Sequence, residues 1–126
     1  MKSFELKDLF ILVAGLMGMA GVALAAGASH GDDPRLLGGA SAMCLAHAPV
    51  LLVLALNMQA LRKSKLAGLL LGFGTILFAA DLVTRHYTGN ALFPMSAPLG
   101  GVTMVAGWLA IAFGGLIRPK EPENRV

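Results

Sequence analysis

The sequence predicts an all-α integral membrane protein: a bundle of four transmembrane helices with the N and C termini both cytoplasmic. Three observations predict it. The 126 residues are 56% hydrophobic and 13% charged, too apolar for a soluble domain of this size, which needs a polar surface to stay dissolved. Four apolar segments, at approximately 9–28, 40–61, 66–84 and 98–117, each approach the roughly 20 residues that carry a helix across about 30 Å of hydrocarbon. In that arrangement Lys2, Lys7, Arg62, Lys63, Lys65, Arg118, Lys120 and Arg125 fall on one side and Arg35 and Arg85 on the other, and the richer side is the cytoplasmic one.

The first segment starts behind Lys2 and Lys7 and carries Ala23-Leu24-Ala25, features shared with a cleavable secretory signal. Its apolar run reaches spanning length, and Gly15, Gly18 and Gly21 fall at packing positions, so the expectation is a retained span. A turn-rich stretch with Gly31-Asp32-Asp33-Pro34 separates it from the second segment, whose Leu and Val from Val50 to Leu56 predict a helix with much of its surface on lipid. Arg62 to Lys65 forms a short inner connection. The third segment ends at a polar stretch with Gly89-Asn90 and Pro94, and the fourth opens on Pro98-Leu99-Gly100-Gly101. Proline is sterically welcome at a helix start, and paired glycines admit a close neighbour.

Small residues recur at helical spacing on three of the four segments: Ala14, Gly18, Gly21, Ala25 and Ala28; Gly68, Gly72, Thr75 and Ala79; Gly100, Thr103, Gly107, Ala110 and Gly114. Lipid tails are as apolar as leucine, so membrane helices associate through close backbone approach, which small faces permit. These faces, with Pro98 and Gly101, are the expected helix contacts. Trp108 lies too deep for an interfacial belt; its ring is expected to fill a gap opposite glycines while its N–H finds a partner.

Four spans use nearly the whole chain as one domain and leave no room for a soluble catalytic module. The net charge of +3 lies beside apolar runs, as topology requires, and no basic stripe with interleaved aromatics suggests nucleic acid. One cysteine, Cys44, allows neither an intrachain disulfide nor a cysteine metal cluster. No phosphate-cradling Gly-x-x-x-x-Gly-Lys and no pair of deep carboxylates is present. No His-x-x-x-His or Glu-x-x-His pair builds a metal site, and haem ligation lacks a second deep histidine. No cofactor or metal is expected.

Ionisable groups at membrane depth are expensive and therefore informative. His47 is followed by Pro49, whose ring deprives the Leu45 carbonyl of its helical partner. Asp81 precedes Arg85 by one turn, with His86 beyond it; His30 ends the first segment. His30, His47, Asp81, Arg85 and His86 make a candidate polar cluster in the outer half of the membrane. Two arrangements are open: His47 meets Asp81 as a proton-sensitive pair, or His47 bonds a nearby backbone carbonyl while Asp81 pairs with Arg85.

The stretch from Ala23 through Ser29-His30, His47, Gly74-Thr75-Ile76-Leu77-Phe78, and Pro98-Leu99-Gly100-Gly101 with Gly107-Trp108 together resemble the domain of unknown function 423 family. These are small bacterial inner-membrane proteins of the YgdD/YwdK type, to which a mitochondrial transmembrane protein family is also similar. The resemblance implies four helices and an inner-membrane location, and no activity. Asp81 stands where the family usually has a small or hydroxyl residue, the Asp32-Asp33 loop differs, and the family's Gly-Ala-His reads Gly27-Ala28-Ser29-His30 here.

The sequence favours a non-enzymatic packing or accessory subunit, partnered by the bilayer and by itself or a larger membrane complex. The alternative is a small transporter or channel with a proton-sensitive His47/Asp81 site.

Overall fold

The computed structural model describes residues 2–117. Four helices follow one another: α1 (Leu6–His30), α2 (Arg35–Leu56), α3 (Ser64–Thr88) and α4 (Ser96–Leu116). Each is long and apolar enough to cross a membrane, and no strand occurs among the described residues. Arg118, Lys120 and Arg125 of the charge count lie outside the described residues.

Helix ends follow local chemistry. At α1 the Glu5 N–H donates to Asp8 Oδ2 at 2.9 Å, satisfying a donor in the first turn. α2 starts at Arg35, well before the apolar run, because Pro34 opens it with φ −78° and accepts from Gly38 N–H at 2.8 Å. Asp33 Oδ1 accepts from Arg35 N–H at 3.0 Å. Its end comes at Leu56 rather than near residue 61, since Asn57 turns its amide back to Val53 O at 2.8 Å. α3 ends on Gly89 at φ 76°, in the left-handed region, with its N–H bonded to Arg85 O, a turn that glycine adopts without steric cost. Lys63 (φ 60°) and Met95 (φ 69°) precede α3 and α4 in the same region, which costs a non-glycine residue about 1 kcal/mol or more.

α2 and α3 pack on each other at the centre of the bundle; α1 lies on α2, α4 lies on α3, α1 touches α3 lightly, and the backbone of α4 approaches neither α1 nor α2 closely among the described residues. Half of the α3 span and 44% of the α2 span is therefore buried, against 22% for α1 and for α4. This corrects the expectation for α2: Leu51, Leu54 and Ala55 lie in the core. In a bilayer an apolar side chain is equally at home against lipid or protein, so a Leu/Val-rich run says little about which it meets.

One core cluster joins Leu54 of α2 to Ala67 and Leu71 of α3 and Met104 and Ala110 of α4. A second sets Ala14 and Met17 of α1 against Ala48 and Leu51 of α2. Between α3 and α4 the backbones themselves touch. A Cβ on Gly74 would lie 2.7 Å from Gly100 O and 2.8 Å from Met104 N; one on Gly100 would lie 2.8 Å from Gly74 O and from Phe78 N. Seven and fourteen residues on, a Cβ on Gly107 would meet Leu71 Cγ at 2.7 Å and one on Gly114 would meet Arg62 O at 2.5 Å. The glycines at 100, 107 and 114 thus form one seam, the first two against α3 and the third against the connection that leads into it, consistent with a near-3.5-residue repeat for closely packed helices.

The α1 face packs more loosely. A Cβ on Gly21 would strike Leu45 Cγ at 2.6 Å and one on Gly68 would strike the Phe10 ring, but a Cβ on Gly18 would only graze Ala48 at 4.0 Å and one on Gly72 would meet Leu51 at an ordinary 3.6 Å. Gly101 has nothing within 4 Å of its Cβ position, and Pro98 is exposed in the first turn of α4. Neither packs within the chain, because the seam residue is Gly100 and its neighbour points the other way.

Candidate functional site

Two buried polar clusters stand out, and both are fully bonded. Asp81, completely buried near the end of α3, accepts from Arg85 Nε to Oδ2 at 2.6 Å and from Leu92 N–H to Oδ1 at 2.9 Å. The Ser96 hydroxyl also donates to Oδ1. A helical spacing of four brings Arg85 to it. The 89–95 connection brings the other two, since α4 returns antiparallel on α3 and sets its first residue beside the carboxylate. The hydroxyl oxygen of Ser96, itself fully buried, further accepts from Phe93 N–H at 3.4 Å. One carboxylate thereby ties the loop and the start of α4 to α3.

His47 lies between α2 and α4. Its Nδ1 is 2.8 Å from Met43 O, and its Nε2 accepts from Trp108 Nε1 at 3.2 Å. A carbonyl can only accept and an indole N–H can only donate, so the bonds require a neutral imidazole with its proton on Nδ1. Both nitrogens are occupied, and neither is free for a metal or haem iron. Trp108 lies on the rim of the bundle, 47% exposed, its ring 5.9 Å from the imidazole at 60°. It reaches in with its N–H rather than filling a gap opposite glycines.

His47 and Asp81 are therefore not bonded to each other, and each takes the local arrangement that the sequence leaves open for it. His86 is half-buried and meets Tyr87 edge-on at 4.9 Å; His30 is exposed at the end of α1. Of the five cluster candidates only Asp81 and Arg85 come together. No group of three His, Cys, Asp or Glu side chains converges among the described residues, and every buried side-chain nitrogen or oxygen described has a partner.

Sequence reasoning missed four participants. Ser96 and the Leu92 amide come to Asp81 through a loop whose path no local pattern reveals. Ser41 Oγ donates to Gly21 O at 2.6 Å, a buried bond from α2 to α1. Gly74 stands one position off the small-residue face of α3, though its pairing with Gly100 was signalled by glycines in two apolar segments that lie antiparallel. Residues 27–31 also carry a Gly-x-Ser-x-Gly spacing, the pattern of a hydrolase nucleophile elbow. That elbow needs a strand-to-helix turn, whereas here the stretch is the last turn of α1, and Ser29 Oγ donates to Ala25 O at 3.0 Å.

The family model described as "Protein of unknown function (DUF423)" matches residues 24–101. The chain belongs to this family. A UPF0382 membrane protein of Haemophilus influenzae is similar, 28% identical over 119 residues, which cover 86% of this chain and 94% of the relative. No solved structure matches. This DUF423 chain is a multi-pass membrane protein. The matched stretch holds His47, Asp81, Ser96 and the Gly74–Gly100 contact, while Trp108 lies beyond it.

The His47–Trp108 bond can be measured directly. Interhelical hydrogen bonds in membranes average about 0.6 kcal/mol, and leaving a buried acceptor empty costs about 1–3 kcal/mol. Trp108→Phe is expected to cost about 1 kcal/mol, with a coupling of about 0.6 kcal/mol to His47→Leu in a double-mutant cycle. Strictly additive single effects would mean that the bond carries no energy.

Proposed function

We propose that this chain is a non-enzymatic subunit of the bacterial inner membrane, with both ends cytoplasmic, that works by packing against a second copy or a larger membrane complex. The observation that carries the reading is how α4 uses its glycines. Gly100 and Gly107 are consumed by α3 and Gly114 by the connection before it, but Cβ positions on Gly101 and Gly115 meet nothing within 4 Å. These two flank Val105, Trp108 and Ala112 on one exposed face. Glycine costs a helix up to about 1 kcal/mol relative to alanine, and inside the chain Gly101 and Gly115 bring no close approach to offset it. A partner helix against that face would supply the contact.

The buried polar groups support a structural rather than a reactive chain. Asp81 holds a loop, and His47 joins two helices. The alternative of a proton-sensitive transporter or channel draws no support from them, because each is already bonded to structural partners.

The test is the mass of the protein purified in mild detergent, before and after Gly101→Leu/Gly115→Leu. Filling the exposed face is expected to reduce an assembly to single chains while the stability of the single chain is unchanged or rises by up to about 1 kcal/mol per site from the better helix propensity of leucine. A wild-type chain that is strictly monomeric, with nothing co-purifying, contradicts the reading.

A further inference from the structure

Because α1 leans on α2 and only touches α3, a groove runs between α1 and α3. A narrow stretch of about 210 Å³ starts at Leu9 and Leu69 and continues, through the shared Val13 and Ile76, into a wider stretch of about 630 Å³ that reaches Thr84. Its walls are almost wholly apolar. On α3 the groove follows Leu69, Gly72 and Ile76, and Lys65 continues that helical face one turn below. Lys65 and Lys7 line a separate, largely polar hollow of about 430 Å³, with Glu5 and Gln59.

Three features of this arrangement select the occupant. The first is charge: two lysines against one glutamate leave the mouth positive, and neither lysine has an ion-pair partner among the described residues. The second is position. Lys65 stands four residues before Leu69, about 6 Å of helix, so a headgroup held there lies next to the narrow end of the groove. The third is shape, since a polar, cationic hollow next along the same helices to a narrow apolar groove matches a charged head on a flexible chain.

We propose that an anionic phospholipid binds here, its phosphate between Lys7 and Lys65 and one acyl chain laid in the groove between α1 and α3. Basic pockets between helices at a membrane surface take anionic headgroups in this way. Glu5 reduces the positive field without cancelling it, and the Gln59 amide can donate to a phosphate oxygen. The site lies on the α1/α3 side and is independent of any assembly through the outer face of α4.

The test uses the full chain in mild detergent, incubated with phosphatidylglycerol or with phosphatidylcholine and examined by native mass spectrometry for lipid that remains bound. Phosphatidylglycerol is expected to be retained at least several-fold more than phosphatidylcholine. In Lys7→Gln/Lys65→Gln that preference is expected to fall to parity, while Arg35→Gln at the opposite end of the bundle keeps it. Ile76→Trp, at an exposed position where the two stretches meet, is expected to reduce retention of both lipids, and its circular dichroism verifies that the helices persist. Equal retention of the two lipids by the wild-type chain, or a phosphatidylglycerol preference that survives in the double lysine variant, overturns the proposal.

Discussion

Asp81→Ala is expected to lower the unfolding free energy by about 2–3 kcal/mol. The substitution leaves the Leu92 N–H without its acceptor, which costs about 1–3 kcal/mol for a buried donor, and opens a void beside Ser96, whose hydroxyl turns wholly to Phe93 O at 2.8 Å. Arg85 contributes less, because its side chain is 39% exposed and turns to water once released. Asp81→Asn keeps an oxygen for Leu92 and Ser96 but sets an amide against Arg85, so its cost is expected to be nearer 1 kcal/mol. Ser96→Ala, which removes one bond of the three, belongs between neutral and about 1.5 kcal/mol. Thermal or steric-trap unfolding in detergent gives the order. Hydrogen exchange at residues 90–95 gives the mechanism, since in Asp81→Ala this segment is expected to lose protection before the helices do. An Asp81→Ala chain as stable as the wild type would remove Asp81 as the anchor of the loop.

The second large effect is at the α3–α4 seam. Gly100→Ala places a methyl 2.8 Å from Gly74 O and from Phe78 N. The obstructing atoms are backbone, which no rotamer change can move, so the helices must separate. Overpacking of this kind costs about 1–3 kcal/mol, offset by up to about 1 kcal/mol from the better helix propensity of alanine. A net loss near 2 kcal/mol is expected for Gly100→Ala and again for Gly74→Ala. The internal control is adjacent in the chain: Gly101→Ala meets nothing and is expected to be neutral or up to about 1 kcal/mol stabilising. Equal effects at 100 and 101, read from unfolding free energies, would mean that the seam is not where α3 and α4 meet.

These predictions mark the boundary of what the sequence conveys. The four helices are legible because hydrocarbon admits only self-satisfied backbone, so spanning-length apolar runs have one solution. The Asp81–Arg85 pair and the His47–backbone bond are legible because both lie within one turn. The seam glycines 100, 107 and 114 are legible on α4, where they stand on one face. What is not legible depends on which helix stands beside which. The place of α2 between α1 and α3 left no trace in its Leu and Val residues. Ser96 reaches Asp81 across fifteen residues, and Trp108 reaches His47 across sixty-one, distances at which no periodicity connects two side chains. The small-residue rule chose the face of α3 that carries Gly72 over the one that carries Gly74, because both faces are small and only the partner distinguishes them.

If the outer face of α4 is a contact surface for another protein helix, cross-linking in the membrane captures that helix. A photoreactive phenylalanine derivative replaces Ala112, between Trp108 and Gly115, and in a parallel variant replaces Leu12 on the exposed side of α1. After illumination of intact membranes, the label at 112 is expected to give an adduct of discrete mass, two copies of the chain or one copy with a single second protein, and the label at 12 only lipid adducts. Lipid adducts alone at both positions would contradict such a contact.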